Sequence, residues 1–96
     1  MDLEAFRGSL SASAPPPVGL PLQALWWAAK GDWDRAHKCA QEGEDADSCW
    51  VHAWLHRQEG DLSNAGYWYA RAGRARSETS VEQEWTEIAT ALTERS

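Results

Sequence analysis

Two short stretches of similar sequence stand twenty-nine residues apart, and the predicted fold follows from them. They read Gly31-Asp32-Trp33-Asp34-Arg35-Ala36 and Gly60-Asp61-Leu62-Ser63-Asn64-Ala65. In each stretch, glycine supplies the left-handed residue that ends one helix, and aspartate accepts the first free N–H groups of the next helix. The closing alanine lets two antiparallel helices approach closely. Each stretch therefore predicts a tight turn between two helices.

The sequence around the turns has helical spacing and repeats with the same offset. Leu22 corresponds to Val51, and Leu25 to Trp54. No segment shows the period of two that is typical of a strand, so the expected fold class is all-α. The helices are predicted from Pro21 to Gly31, from Asp32 to Gly43, from Asp45 or Asp47 to Glu59, from Asp61 to about Gly73, and from Thr79 or Ser80 onward.

The first nineteen residues are predicted to form a flexible N-terminal arm, followed by a single helical-repeat domain over residues 20–96. A helix over residues 2–9 is too short to be stable alone. The run at 11–19 contains three prolines and is typical of a linker. Two interpretations of the arm stay open: it is frayed, or it is a tether that carries Phe6 into a neighbouring groove.

The two turns resemble those of the tetratricopeptide repeat family, which read like Gly-Asp-Tyr-x-x-Ala. Tyr69 and Ala72 stand where that family places an aromatic and a small residue. The resemblance covers residues 20–73. The period is twenty-nine instead of about thirty-four, and Ala40 replaces the later aromatic of the first unit. The resemblance implies two stacked antiparallel helical hairpins plus a C-terminal helix, with a concave side that holds peptides.

A second resemblance concerns two longer stretches. Trp-Val-His-Ala-x-Leu-His-Arg begins at Trp50, and Gly-Asp-Leu-x-Asn-Ala-x-Tyr-Trp-Tyr begins at Gly60. Both are similar to a small group of proteins to which we attach no function.

Charge and cysteine content exclude several classes of partner. Nine Lys and Arg against fifteen Asp and Glu give a net charge of −6. This predicts no nucleic-acid partner and no membrane partner, because either needs a basic patch. The acidic start lacks the charged-then-apolar leader of a secretory signal. Cys39 and Cys49 are too few for a disulfide scaffold, although a single bridge is possible. These features predict a cytoplasmic protein.

Seven tryptophans are more than one apolar stripe per helix can bury. The leading functional prediction is therefore a non-enzymatic scaffold or adaptor module for protein–protein interaction, which binds a peptide or protein partner through an aromatic groove. The predicted binding residues are Asp47, Trp50, Trp54, Arg57, Trp27, Tyr67 and Trp68. Aromatic anchors flanked by Asp and Arg are typical of interface hot spots. The alternative is that Trp50 and Trp54 form the core. A homo-oligomer is a subsidiary expectation.

The second functional prediction is a small-ligand or metal-binding protein, possibly an enzyme, centred on Cys49, His52 and His56. Spacings of three and four place these residues on one helical face. A structural zinc site needs a fourth ligand, for which His37, Cys39 and Glu59 are candidates. The alternative is that the histidines are hydrogen-bonded packing residues. The leading prediction includes no cofactor and no catalytic residue, because the chain lacks a glycine-rich phosphate loop and a nucleophile elbow.

Overall fold

A computed structural model describes residues 1–95, and this range is all-helical, which confirms the predicted fold class. The elements are α1 (Leu3–Gly8), a 3-10 turn (Ser9–Ser11), α2 (Leu20–Ala29), α3 (Trp33–Glu42), α4 (Ala46–Gln58), α5 (Leu62–Ala72) and α6 (Val81–Glu94). The predicted domain ends at Ser96, which lies outside the described residues. Within the described range, no helix has the length and apolar character needed to cross a membrane.

The turns that join α2 to α3 and α4 to α5 have the same backbone geometry. Glycine takes a positive φ at each turn, 84° at Gly31 and 87° at Gly60. The N–H of the next residue, Asp32 or Asp61, donates at 2.9 Å to the carbonyl five residues earlier. The side chain of the same aspartate accepts a hydrogen bond from the backbone N–H three residues later. The two turns thus have the same geometry, as their repeated Gly-Asp sequence predicted.

Helix α4 lies at the centre of the molecule. Its residues 48–56 are all buried, and α4 packs against α2, α3, α5 and α6. A helix that is buried on every side must satisfy its polar side chains from neighbouring helices. Ser48, His52 and His56 are the polar side chains in this buried stretch. The neighbours of these three side chains therefore determine where a polar site can form inside the protein.

The N-terminal arm differs from the flexible segment that the sequence predicted. Phe6 is fully buried, and its ring stacks on that of Trp85 in α6 with centroids 5.9 Å apart. The Lys30 ammonium donates to the carbonyl oxygen of Leu10 at 2.7 Å. A one-and-a-half-turn helix is stable only when it is docked, and α6 supplies the apolar surface for it. The helical part of the arm is therefore docked on α6 through Phe6.

Candidate metal centre

The two central tryptophans of the predicted binding groove are buried. Trp50 is 7% exposed and Trp54 is 2% exposed. The Trp54 indole N–H donates to the Val81 carbonyl at 2.8 Å, and the Arg74 guanidinium covers the Trp50 ring at 3.4 Å. Because α6 and the segment before it close over this face of α4, the prediction that Trp50 and Trp54 are exposed is wrong. The alternative, that both belong to the core, is confirmed.

The charged residues of the predicted groove are engaged within the protein. Arg57 Nη1 lies 2.8 Å from the Glu84 carboxylate, and Arg95 Nη1 lies 3.0 Å from that of Asp47. Among the remaining predicted binding residues, only Tyr67 is well exposed, at 55%. The structure therefore does not bring the seven residues together into one open groove. A protein–protein interaction function stays a prediction.

The two other tryptophans of that set lie at the surface of the helical stack. Trp27 is half-buried, its ring meets that of Trp26 edge-on, and the Arg35 guanidinium lies 4.6 Å from its centroid. Trp68 is also half-buried, but its ring stacks face to face on His52 with centroids 3.9 Å apart. Trp68 therefore belongs to a different site, which is built around histidines.

Three histidines converge between α3 and α4, and we name His37, His52 and His56 the three-histidine cluster. One nitrogen from each ring lies within 4.8 Å of the other two. The Nε2 atoms of His37 and His52 are 3.0 Å apart. His52 and His56 are one turn apart on α4, and His37 faces them from α3. This arrangement brings three imidazole rings, each with a nitrogen that can bind a metal ion, around one shared space.

The walls of the three-histidine cluster are aromatic. The Trp33 ring stacks on His37, with centroids 4.8 Å apart and planes inclined by 11°. Trp68 covers the outer face of His52 in the same manner. His52 and His56 are 3% and 6% exposed, whereas His37 is only half-buried. The cluster is thus largely shielded from water, with its more open side at His37.

The polar neighbours of the cluster are few. His56 Nδ1 lies 2.6 Å from a carboxylate oxygen of Glu59, and its Nε2 lies 3.3 Å from the Asn64 amide nitrogen. Nδ1 of His52 is buried and has no hydrogen-bond partner among the described residues. A buried polar atom without a partner is rare in folded proteins and calls for an explanation. Here it belongs to a side chain that can ligate a metal through either nitrogen.

Burial favours the neutral form of two of the rings, those of His52 and His37. Desolvation, followed by the nearby rings of His37 and His56, lowers the pKa of His52 to about 4. Desolvation, followed by the nearby His56, also lowers the pKa of His37. Since only the neutral ring has a lone pair to donate, both side chains are in the metal-binding form at neutral pH.

The structure corrects the metal-ligand set that the sequence predicted. It brings His52 and His56 together, but Cys49 is absent from the donor groups found among the described residues, and His37 completes the set. Both Cys39 and Cys49 are free thiols, so the possible bridge does not form. The sequence does contain an indication of His37. It lies four residues after Trp33, and this spacing places both residues on the side of α3 that packs inward.

Comparisons with family models, with curated proteins and with solved structures found no match for this chain. The resemblance to the tetratricopeptide repeat family therefore stays a prediction.

Proposed function

We propose that this protein binds a divalent transition-metal ion of the zinc class through His37, His52 and His56. The proposal rests on the convergence of three imidazoles, two of them buried, with one nitrogen of each ring within 4.8 Å of the other two. Imidazole is a preferred ligand of zinc, copper and nickel. Neither calcium nor magnesium fits, since both prefer oxygen ligands.

The spacing of the donor atoms supports this proposal. In a tetrahedral zinc site with Zn–N bonds of about 2.0–2.1 Å, two ligand nitrogens are about 3.3 Å apart. The Nε2 atoms of His37 and His52 are 3.0 Å apart, so the two rings need only a small separation to accept an ion between them. His37 lies on the more open side of the cluster, where a modest side-chain movement is least hindered.

Three protein ligands define the kind of metal site. Closed structural zinc sites have four protein ligands, whereas sites with three leave one position for water or another small ligand. The carboxylate of Glu59 on His56 is the usual outer partner of a metal-bound imidazole. We therefore propose an ion that remains open to exchange of its fourth ligand.

A competition titration with a chromogenic chelator tests this proposal. Zinc is expected to bind in a one-to-one ratio, and His37→Gln is expected to bind at least tenfold more weakly because it removes one of three ligands. The matched control is Cys49→Ala, which removes the thiol that the sequence placed in the site and is expected to leave the affinity unchanged. Wild-type protein that binds no stoichiometric zinc, or a Cys49→Ala variant that loses it, would contradict the proposal.

A further inference from the structure

His56 is held at both of its ring nitrogens by residues at the junction of α4 and α5. Glu59 directly follows α4, and its carboxylate lies 2.6 Å from Nδ1. Asn64 lies in the first turn of α5, and its amide nitrogen lies 3.3 Å from Nε2. The hydrogen bond made by one imidazole nitrogen decides which atom the other can offer. A carboxylate on Nδ1 keeps the proton there and leaves the lone pair on Nε2.

The two contacts have opposite consequences for a metal ion. Glu59 prepares Nε2 of His56 as a ligand atom, and its negative charge makes the imidazole a stronger donor. The amide of Asn64 donates to the same lone pair, so an ion must displace it. We infer that Glu59 is a positioning residue that selects Nε2 of His56 for the metal, and that Asn64 is the group that the metal displaces. This inference rests on the proposed metal-binding function.

Comparison with the first turn indicates that the contacts among His56, Glu59 and Asn64 are not needed to form the turn. The first repeat forms the same turn, but Trp27, Lys30 and Arg35 stand at the positions of His56, Glu59 and Asn64. Its glycine takes nearly the same φ, and the backbone hydrogen bond that closes it has the same length, 2.9 Å. The turn therefore forms without a histidine, a carboxylate and an amide at these positions. Their contacts in the second repeat need another explanation, which a ligand site provides.

Glu59 also belongs to a second donor group with His56 and Asp61, so direct ligation by Glu59 is the competing arrangement. In this second group, Glu59 and Asp61 are both exposed. One oxygen of Asp61 already accepts the backbone N–H of Asn64 at 3.2 Å. Three-imidazole coordination needs no such exposed carboxylate as a ligand. The two arrangements predict different effects of a neutral side chain at position 59, which makes them separable.

The test combines two measurements on Glu59→Ala, Glu59→Gln and Asn64→Ala, with Glu78→Ala as the control for loss of an exposed carboxylate elsewhere. Nitrogen-15 NMR of the metal-free proteins reports which nitrogen of His56 carries the proton. Chelator competition reports the zinc affinity. Wild-type His56 is expected to carry its proton on Nδ1, and Glu59→Ala is expected to shift it toward Nε2 and weaken zinc binding by about 10–100-fold. Glu59→Gln keeps an acceptor oxygen and is expected to weaken binding less, whereas Asn64→Ala is expected to bind zinc several-fold more tightly.

Each result has a separate meaning. If the wild type binds zinc and Glu59→Ala binds it equally well, the inference is overturned. If Glu59→Gln loses as much affinity as Glu59→Ala, Glu59 is a ligand and not a positioning residue, which also overturns it. If the wild type binds no zinc, the proposed function fails, and the proton position, measured without metal, still decides whether Glu59 orients His56.

Discussion

Replacing Arg57 with methionine is expected to lower the free energy of unfolding by about 3–5 kcal/mol, because it leaves a buried charge without its partner. The Glu84 side chain is 2% exposed and lies 2.8 Å from Arg57 Nη1. Its other hydrogen bond comes from the Tyr69 hydroxyl at 2.7 Å. Arg57 also donates to the carbonyl oxygen of Thr79, so its loss releases the segment that precedes α6.

The double variant Arg57→Met/Glu84→Gln is the matched control. A neutral amide keeps an oxygen for the Tyr69 hydroxyl and needs no cation, so most of the lost stability is expected to return. Urea unfolding monitored by tryptophan emission measures both variants, and an unchanged slope confirms that the same surface unfolds. A loss below about 1 kcal/mol for Arg57→Met would show that the pair behaves as an exposed salt bridge, contrary to the structure.

The metal-free protein is expected to lose stability as the pH falls from about 6.5 to 4. Folding lowers the pKa of His52 to about 4, so between these values the unfolded chain binds a proton that the folded protein excludes. Stability is therefore fully present above the ordinary histidine pKa and declines as the pH approaches the folded value. A difference of about 2.5 pKa units corresponds to about 3 kcal/mol, at 1.36 kcal/mol per unit. The lowered pKa of His37 acts in the same direction.

The measurement is urea unfolding at a series of pH values between 4.5 and 7.5, in the presence of a chelator. Carboxylates also titrate near the acid end of this range, so the comparison is with His52→Gln, which keeps them all. The variant is expected to show a clearly shallower dependence on pH. Equal slopes for the two proteins would contradict the burial of a neutral His52.

The local features of the fold could be predicted because single residues encode them. A glycine followed by aspartate marks both turns, and Ser80 caps α6 through the N–H of Gln83. Exposure could not be predicted in this way, because it depends on which distant segment covers a helix face. Spacing along α4 identifies Trp50 and Trp54 as one stripe, but only the path of the chain into α6 shows that the stripe is covered.

The expectation that some tryptophans are partly exposed is confirmed, because four of the seven are only half-buried: Trp27, Trp33, Trp68 and Trp85. It was wrong about Trp50 and Trp54, since both are buried. Several indole N–H groups find acceptors at distant positions: Trp33 donates to the carbonyl of Leu55 at 3.0 Å, and Trp85 to that of Leu25 at 2.9 Å. Such pairs join residues far apart in sequence, so composition alone gives no information about them.

The candidate site was predictable only in part. His52 and His56 share a face of one helix, and their spacing of four residues shows this directly. The sequence placed Cys49 with them and left His37, Cys39 and Glu59 as candidates for a fourth ligand. That His37 of α3 completes the set depends on how the side chains of two helices pack together. That packing follows from the whole core, so it became visible only in the structure.

X-ray absorption at the zinc edge of the loaded protein decides whether the three-histidine cluster holds the ion, because it counts and identifies the ligands. The three-histidine cluster predicts nitrogen neighbours at about 2.0–2.1 Å with the outer scattering of imidazole rings, and no sulfur at about 2.3 Å. A sulfur neighbour would place Cys49 or Cys39 in the site, and a spectrum without imidazole scattering would show that the cluster does not hold the ion.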